Sequence, residues 1–317
     1  MANRIKEKYM AGKRYFDYPM LFLVIFLICF GLVMIYSTSS YKSTVTYGNS
    51  YHWLLRQAVA IVLGAVAMVV CCKLDYRIIK SEKFGNGCYW ASIVLLVLVL
   101  IIGAAKKGAV RWISIAGFQF QPSEVSKILV VIYLANRLSA NAHKIRTFKD
   151  SIVIVLPTVP IIALIVTQNL STALVVCSMI GVMLFVVSPK MKELMLTAGG
   201  GIILLFVYLL TANSYRNERV QIWLHPESHK KGFQTMQALY AIGSGGIFGK
   251  GLGQSMQKMG FIPESHNDMI FSIICEELGL FGAVCLILVF VALIFRMLLI
   301  ALNTEDLFGS LIVIGFM

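Results

Sequence analysis

Apolar runs of about 20 residues recur along almost the whole chain, and this pattern limits the folds that the chain can adopt. A helix of that length crosses a hydrocarbon layer of roughly 30 Å, and backbone groups inside lipid have to pair within their own segment. The composition agrees, because 58% of the residues are hydrophobic and only 14% are charged. We therefore predict an all-α, polytopic integral membrane helical bundle.

The apolar runs predict eight complete spans and the beginning of a ninth. They lie near 18–37, 53–72, 87–105, 122–138, 151–167, 169–188, 191–211 and 268–299, and the ninth begins near 306. The fourth run is short and carries two charged residues. The chain stops at Met317 inside an apolar run, so we expect the end of the domain to lie beyond it. Residues 1–317 are predicted to form one transmembrane domain.

Lysine and arginine residues flank alternate spans, and this bias sets the orientation of a membrane protein. They concentrate in the N-terminal segment 1–17 and in the connections 73–83 and 137–149, which we predict to be cytoplasmic. The long connection 212–267 is then a large extracytoplasmic loop. Its aromatic residues predict packed re-entrant or interfacial helices rather than disorder.

The charge and the motifs exclude several function classes. We attribute the net charge of +13 to topology and to attraction for anionic lipid, and no basic module predicts nucleic-acid binding. The glycine-rich stretch 241–258 matches neither nucleotide-binding motif, so no nucleotide is expected, and no haem. This stretch is either a flexible or tightly turned loop, or a run of backbone N–H groups that binds an anionic head group with Lys250 and Lys258.

Four acids stand close together in a chain that is otherwise poor in acids. Asp268 lies where the outward loop becomes the eighth span, so it is either a helix cap or a reactive carboxylate. Glu276 and Glu277 would lie inside the bilayer, where carboxylates line a pathway or form ion pairs. Glu264 is expected at the outer surface. His266 is expected to be a solvent-exposed loop histidine, with orientation of Asp268 as the alternative.

A second polar cluster precedes and opens the fourth span. Arg111 and Trp112 lie on the outer side, where an interfacial aromatic belt is expected. Pro122 predicts a helix start, with Glu124 near the positive end of that helix. Glu124 and Lys127 are three residues apart and share a helix face. They form either a structural ion pair or the charged wall of a polar cavity.

Three stretches of the chain are similar to motifs of one known family: GAVRWISIAGFQFQPSEVSK, ALYAIGSGGIFGKGLGQSMQK and PESHNDMIFSIICEELG. They resemble the SEDS family (shape, elongation, division and sporulation), which includes FtsW, RodA and SpoVE. The FtsW/SpoVE branch is favoured. The resemblance implies a ten-helix membrane glycosyltransferase, with about eight and a half helices present, that polymerises lipid II into peptidoglycan outside the bacterial cytoplasmic membrane. It implies as partners lipid II, a class B penicillin-binding protein and other membrane proteins of cell division or elongation.

The same resemblance implies the site residues. Asp268 would be the catalytic residue, as a general base or as the ligand of a divalent cation, Mg or Mn. The resemblance also places Arg111, Trp112, Gln121, Ser123, Glu124 and Lys127 on a family motif, and we predict that they bind substrate together with Arg219, Ser255, Gln257 and Lys258. Basic residues among Arg111, Lys127, Arg219 and Lys258 are predicted to bind the pyrophosphate of lipid II. Where the family has an acid in Q/E-P-D-[LF]-G-T-A, this chain reads TQNLSTA, with Asn169 in its place. The alternatives are a lipid II flippase and a non-catalytic division scaffold.

Overall fold

The computed structural model describes residues 16–317 except 107–108, 116–117, 146, 189–192, 194–198, 201–220 and 230–231. Helices make up most of the described chain. Those with both ends described are α1 (Tyr18–Tyr47), α2 (His52–Lys73), α3 (Glu82–Ile102), α4 (Pro122–Asn141), α5 (Phe148–Val155), α6 (Val159–Gln168), α7 (Leu170–Val187), α8 (Phe233–Ser244), α9 (Ile270–Asn303) and α10 (Leu307–Phe316).

Among the described residues, six helical segments are long and apolar enough to cross a membrane. They are α1, α2, α3, α7, α9 and the segment Lys149–Gln168, in which a short 3-10 turn joins α5 to α6. This confirms the predicted class, a polytopic helical membrane protein. The predicted fourth span is the more polar helix α4, and α10 begins where the ninth span was expected. The predicted span 191–211 lies largely outside the described residues.

Local sequence signals explain where several helices begin. The side chain of Asp17 accepts a hydrogen bond from the N–H of Met20 at the start of α1. Between α6 and α7, Asn169 takes an extended conformation and its side chain accepts a hydrogen bond from Ser171. An N-cap of this kind stabilises a helix by about 1 kcal/mol. The predicted division into two spans at this point is confirmed.

A small antiparallel sheet precedes α4 and was not part of the predicted all-α class. Its strands are β1 (Ala104–Lys106), β2 (Ala109–Ile115) and β3 (Phe118–Phe120), in the order β1-β2-β3. The available signal was three β-branched residues, Val110, Ile113 and Ile115, between two dipeptides that end in glycine, KG and AG. Short hairpins commonly have glycine in their turns.

The chain divides into two compact units, one from Met1–Met68 and Asn213–Arg296, the other from Val69–Ala212 and Met297–Met317. The second unit has the larger apolar core, built by α3, α4, α6, α7 and α10 around buried residues such as Leu134. The predicted single transmembrane domain stays a prediction.

The first unit has two smaller apolar clusters, and these position the acid-rich stretch. Met34 of α1 packs with Ile274 and Leu286 of α9. Ile262, in the connection before α9, packs with Ala241 of α8 and Ile273 of α9. The connection 245–269 is therefore held between helices and is not a free loop.

Candidate functional site

Helix α9 is interrupted at Gly279, whose φ of 68° and ψ of −169° are not helical. Only glycine adopts this conformation readily. Beyond the break, the N–H groups of Leu280 and Phe281 donate to the carbonyl oxygens of Gly246 and Ile247, at 2.9 and 3.0 Å. The glycine-rich loop thus satisfies backbone groups that the broken helix leaves unpaired.

The same loop also donates to the helix before the break. The N–H groups of Lys250 and Gly251 donate to the carbonyl oxygens of Glu276 and Glu277, each at 2.9 Å. A Cβ on Gly249, whose φ is +79°, would lie 2.2 Å from the carbonyl oxygen of Glu277. Glycine is therefore required for close backbone packing, which supports the tightly-turned-loop interpretation of the glycine-rich stretch.

Glu276 is completely buried and its carboxylate has several donors. The Nζ of Lys250 lies 2.7 Å from Oε1, and the hydroxyl of Ser255 donates to Oε2. The N–H groups of Met256 and Gln257 donate to the carboxylate at 3.2 and 3.4 Å. A buried carboxylate with this many donors is compensated as an anion.

Glu277 is also completely buried, but its partners come from other parts of the unit. The hydroxyl of Ser37 in α1 lies 2.7 and 2.8 Å from the two carboxylate oxygens. The Nζ of Lys258 lies 2.8 Å from Oε1 and 3.1 Å from the Ser37 hydroxyl. Lys258 is only 5% exposed. Of the two sequence-based alternatives for Glu276 and Glu277, the structure shows ion pairs.

Asp268 has the opposite surroundings. It lies in the turn just before α9, and its side chain is exposed. Within the described part of the chain, no hydrogen bond or ion pair involves its carboxylate. The helix-cap alternative is therefore not observed, since no N–H of α9 donates to this side chain. An exposed carboxylate without a protein partner is free to meet a substrate.

The segment that carries Asp268 rests on the end of α1. The hydroxyl of Ser265 donates to the carbonyl oxygen of Thr38 at 3.4 Å, and the Nζ of Lys42 lies 3.9 Å from the Glu264 carboxylate. Glu264 has a positive φ of 55°, an uncommon conformation outside glycine. The side-chain amide of Asn267 donates to Glu264 at 3.1 Å. The turn is thus fixed on both sides of His266.

The prediction that His266 is a solvent-exposed loop residue is wrong, because the residue is buried and only 7% exposed. The ring of Trp53, from α2, lies 4.9 Å from the imidazole and covers it. Burial lowers the pKa of His266, and the nearby Lys42 lowers it further, whereas Glu264 acts in the opposite direction. No hydrogen bond joins His266 to Asp268 in the described chain.

Six of the predicted substrate-binding residues belong to the second unit. Trp112 is partly buried in β2, and the amide of Gln121 donates to the hydroxyl of Ser123 at 2.9 Å. The Nζ of Lys127 lies 2.8 Å from the Glu124 carboxylate, so the predicted shared helix face is confirmed. The Glu124 side chain is 55% exposed and that of Lys127 is 24% exposed. This pair is consequently open to solvent or to a ligand.

The remaining predicted residues are placed only in part. Ser255, Gln257 and Lys258 surround the buried acids of the first unit, as described above. The backbone of Arg111 lies in β2, but its side chain is not among the described parts, and Arg219 lies outside the described residues. The substrate-binding role of all of them stays a prediction.

The predicted divalent cation would require a set of oxygen-bearing side chains around it. In the part of the chain that the structure describes, no group of three or more His, Cys, Asp or Glu side chains could hold a metal ion. Asp268 by itself supplies a single carboxylate, whereas Mg²⁺ prefers an octahedral shell of oxygen atoms. These residues do not make a protein cation site, and the cation stays a prediction.

The sequence interpretation missed Ser37 and Trp53 as parts of this region. Ser37 lies 240 residues before the carboxylate that it contacts, so no local spacing could connect them. The available signal was the run of hydroxyl residues STSS, residues 37–40, inside an apolar span. Hydroxyl groups in a membrane helix commonly mark a polar contact with another segment.

Known proteins of one family are similar to this chain over almost its whole length. The profile of the FtsW, RodA and SpoVE family of cell cycle proteins matches residues 18–317. A Geobacter metallireducens protein named "Probable peptidoglycan glycosyltransferase FtsW" is 35% identical over 310 residues, covering 95% of this chain and 81% of the relative. The stage V sporulation protein E of Bacillus subtilis is 34% identical over 309 residues, covering 94% and 82%.

Solved structures show the same architecture. A structure on the coordination of polymerization and crosslinking by a peptidoglycan synthase complex is similar with a TM-score of 0.76, at 28% identity, over 96% of this chain and 83% of that chain. The rod shape determining protein RodA of Thermus thermophilus is similar with a TM-score of 0.64, at 26% identity, over 95% and 80%. This multi-pass membrane protein therefore belongs to the FtsW/RodA/SpoVE family.

Proposed function

We propose that this chain is a peptidoglycan glycosyltransferase that polymerises lipid II, an undecaprenyl-pyrophosphate disaccharide pentapeptide, into glycan strands on the outer face of the cytoplasmic membrane. The observation that carries the proposal is Asp268, an exposed carboxylate without a partner among the described residues, in the same stretch as two acids that are buried and paired. The names of the relatives support the reaction class. The N-terminus would face the cytoplasm, as the distribution of basic residues indicates.

Asp268 acts in this mechanism as the general base. The carboxylate takes the proton of an acceptor sugar hydroxyl while that oxygen forms a bond to the anomeric carbon of the donor sugar. The bond from that carbon to the pyrophosphate breaks, and the lipid pyrophosphate leaves with the electron pair. A positioned base of this kind contributes a factor of about 10²–10⁴ to the rate.

Lys258 is a weaker candidate for pyrophosphate binding than the other basic residues of the prediction. Its ammonium group is engaged by Glu277 and Ser37 and is almost completely buried. Moving it to a ligand would leave a buried carboxylate uncompensated, which is strongly unfavourable. We therefore assign Lys258 to the framework of the site.

A class B penicillin-binding protein would be the partner of this chain. The support is the similarity to a structure of a complex that couples polymerisation to crosslinking. Such a partner would use the growing glycan strand as its own substrate, so the two proteins would act on the same product in sequence.

The test is glycan synthesis from labelled lipid II by the purified chain, alone and with a class B penicillin-binding protein. Asp268→Asn and Asp268→Ala should lower the rate of polymer formation about 100-fold or more, while Glu305→Gln, which changes another exposed carboxylate, should leave it unchanged. Normal product length and rate from both Asp268 variants would contradict the assignment. Lipid II that crosses proteoliposomes without polymer formation would instead support the flippase alternative.

A further inference from the structure

Two consecutive acids of α9, Glu276 and Glu277, form ion pairs that have no part in the mechanism described above. Consecutive helical residues point about 100° apart, so Glu276 and Glu277 reach different surroundings. Glu276 contacts the connection before α9, through Lys250 and Ser255, and the end of α8, through the hydroxyl of Ser244 at 3.5 Å. Glu277 contacts both that connection and α1. The cluster of Ser37, Lys258 and Glu277, here called the Ser37 cluster, therefore joins three segments of the first unit.

The Ser37 cluster closes a loop that has Asp268 near its middle. Lys258 and Glu277 are 19 residues apart in sequence and are joined by their ion pair. Within that interval, the N–H of Ile262 donates to the carbonyl oxygen of Gln257 at 3.0 Å, and Ile262 itself is buried. The loop is thus anchored at Lys258 and Ile262 before Asp268 and at Glu277 after it.

The face of α1 that carries Ser37 also contacts the loop farther along. Thr38 accepts the hydrogen bond from Ser265, and Lys42 lies near Glu264. These contacts are made within two turns of α1. Of the two charged contacts, only the Ser37 cluster has both charges almost completely buried, since the side chains of Lys42 and Glu264 are 42% and 40% exposed.

We propose that the Ser37 cluster positions Asp268: it closes the loop 259–269 onto α1 and so fixes the place of the reactive carboxylate. Ser37, Lys258 and Glu277 are positioning residues, because they act through the loop and do not touch substrate. The inference rests on the proposed function. A displacement of the base by about 1 Å can lower a rate about 100-fold, so loosening this cluster should affect turnover more than substrate binding.

The experiment compares Glu277→Gln, Lys258→Met and the double variant with a matched ion pair on the same helix. Arg296 of α9 pairs with Asp17 in the same unit, far from Asp268 in sequence, so Arg296→Met with Asp17→Asn is the control. We measure thermal stability in nanodiscs and steady-state kcat and KM with lipid II. Each single variant of the Ser37 cluster should lose kcat about tenfold or more with KM little changed.

The double variant separates positioning from general stability. Removing both charges should restore most of the stability, because neither charge is left buried alone. The kcat should stay low, because the uncharged side chains at positions 258 and 277 no longer hold the loop together. Each single variant of the control pair, Arg296→Met or Asp17→Asn, should lose stability without losing kcat. Recovery of kcat together with stability in the double variant would overturn the proposal, as would normal kcat in both single variants.

Amide hydrogen exchange tests the anchoring of the loop without relying on the proposed function. Amide exchange across 259–269 should be faster in the Ser37-cluster variants than in the wild type or the control. Unchanged exchange there would overturn the positioning role whatever the activity. If the wild type makes no polymer from lipid II, the proposed function fails, while faster exchange would still show that the cluster anchors the loop.

Discussion

Asp268 and Glu277 are carboxylates of one short stretch with opposite surroundings. Glu277 is completely buried and is held by a lysine and a serine from two other segments, whereas Asp268 is exposed and has no partner among the described residues. A buried charge has to be compensated, so the partners of Glu277 follow from its burial. No contact among the described residues requires an acid at Asp268, and this supports a chemical role for its carboxylate.

The largest effect is expected where the buried charge loses its partner. Glu277→Gln leaves the ammonium group of Lys258 buried and unpaired, which should lower the free energy of unfolding by about 3–5 kcal/mol. Glu276→Gln should lower it less, because the side chain of Lys250 is 35% exposed and water can solvate it. Denaturant unfolding in detergent micelles measures both. Equal losses of unfolding free energy would show that the burial of the unpaired lysine does not control the stability.

A smaller effect is expected from the backbone around the buried acids. Gly249 and Gly253 have nearly the same φ, +79° and +80°, but only at Gly249 would a Cβ meet backbone, 2.2 Å from the Glu277 carbonyl oxygen. Both alanine variants carry the cost of the left-handed conformation, roughly 1–2 kcal/mol.

Gly249→Ala should therefore be less stable than Gly253→Ala by about 1–3 kcal/mol, since overpacking adds a cost of that size. Thermal unfolding of the two variants measures the difference directly. Equal melting temperatures would mean that the loop packs less closely on α9 than the structure shows.

The smallest effect is expected at His266, which lies two residues before the exposed Asp268 and is itself buried under Trp53. Burial lowers the pKa of His266, so below the ordinary histidine value of about 6.5 the unfolded chain binds more protons than the folded one. Stability should therefore rise with pH through this window and fall as the pH drops through it.

The measurement is the melting temperature between pH 5.5 and 7.5. His266→Gln should flatten part of its dependence on pH, while His143→Gln, at an exposed position, should leave that dependence as it is. The charged groups near His266 are Lys42 and Glu264, so both variants are compared at the same ionic strength. An identical pH dependence in all three proteins would contradict a buried neutral His266.

The sequence was sufficient for the parts of the fold that depend on local composition. Apolar runs placed α1, α2, α3, α7 and α9, and Pro122 correctly marked the beginning of α4. The sheet that includes Trp112 was missed, because strands of three to seven residues give a weak periodic signal beside long apolar helices. Asn169 was noticed as a departure from the family motif, and its role as a helix cap required the structure.

The sequence predicted those features of the candidate site that depend on residues close together in the chain. Asp268 was correctly placed at the entrance to its helix, and the ion-paired alternative for Glu276 and Glu277 was stated from their depth in the bilayer. Their partners could not be chosen from the sequence, since Ser37 and Glu277 are brought together only by packing of α1 on α9. The burial of His266 was missed for the same reason, because Trp53 comes from another helix.

The most direct test compares Asp268→Asn with Glu277→Gln in the same preparation, by measuring stability and lipid II turnover for each. Asp268→Asn should keep its free energy of unfolding within about 0.5 kcal/mol of the wild type, because the side chain is exposed and unpaired. Its turnover should nevertheless fall about 100-fold or more. A variant that loses stability in proportion to turnover, or that polymerises lipid II normally, would contradict the catalytic assignment of Asp268.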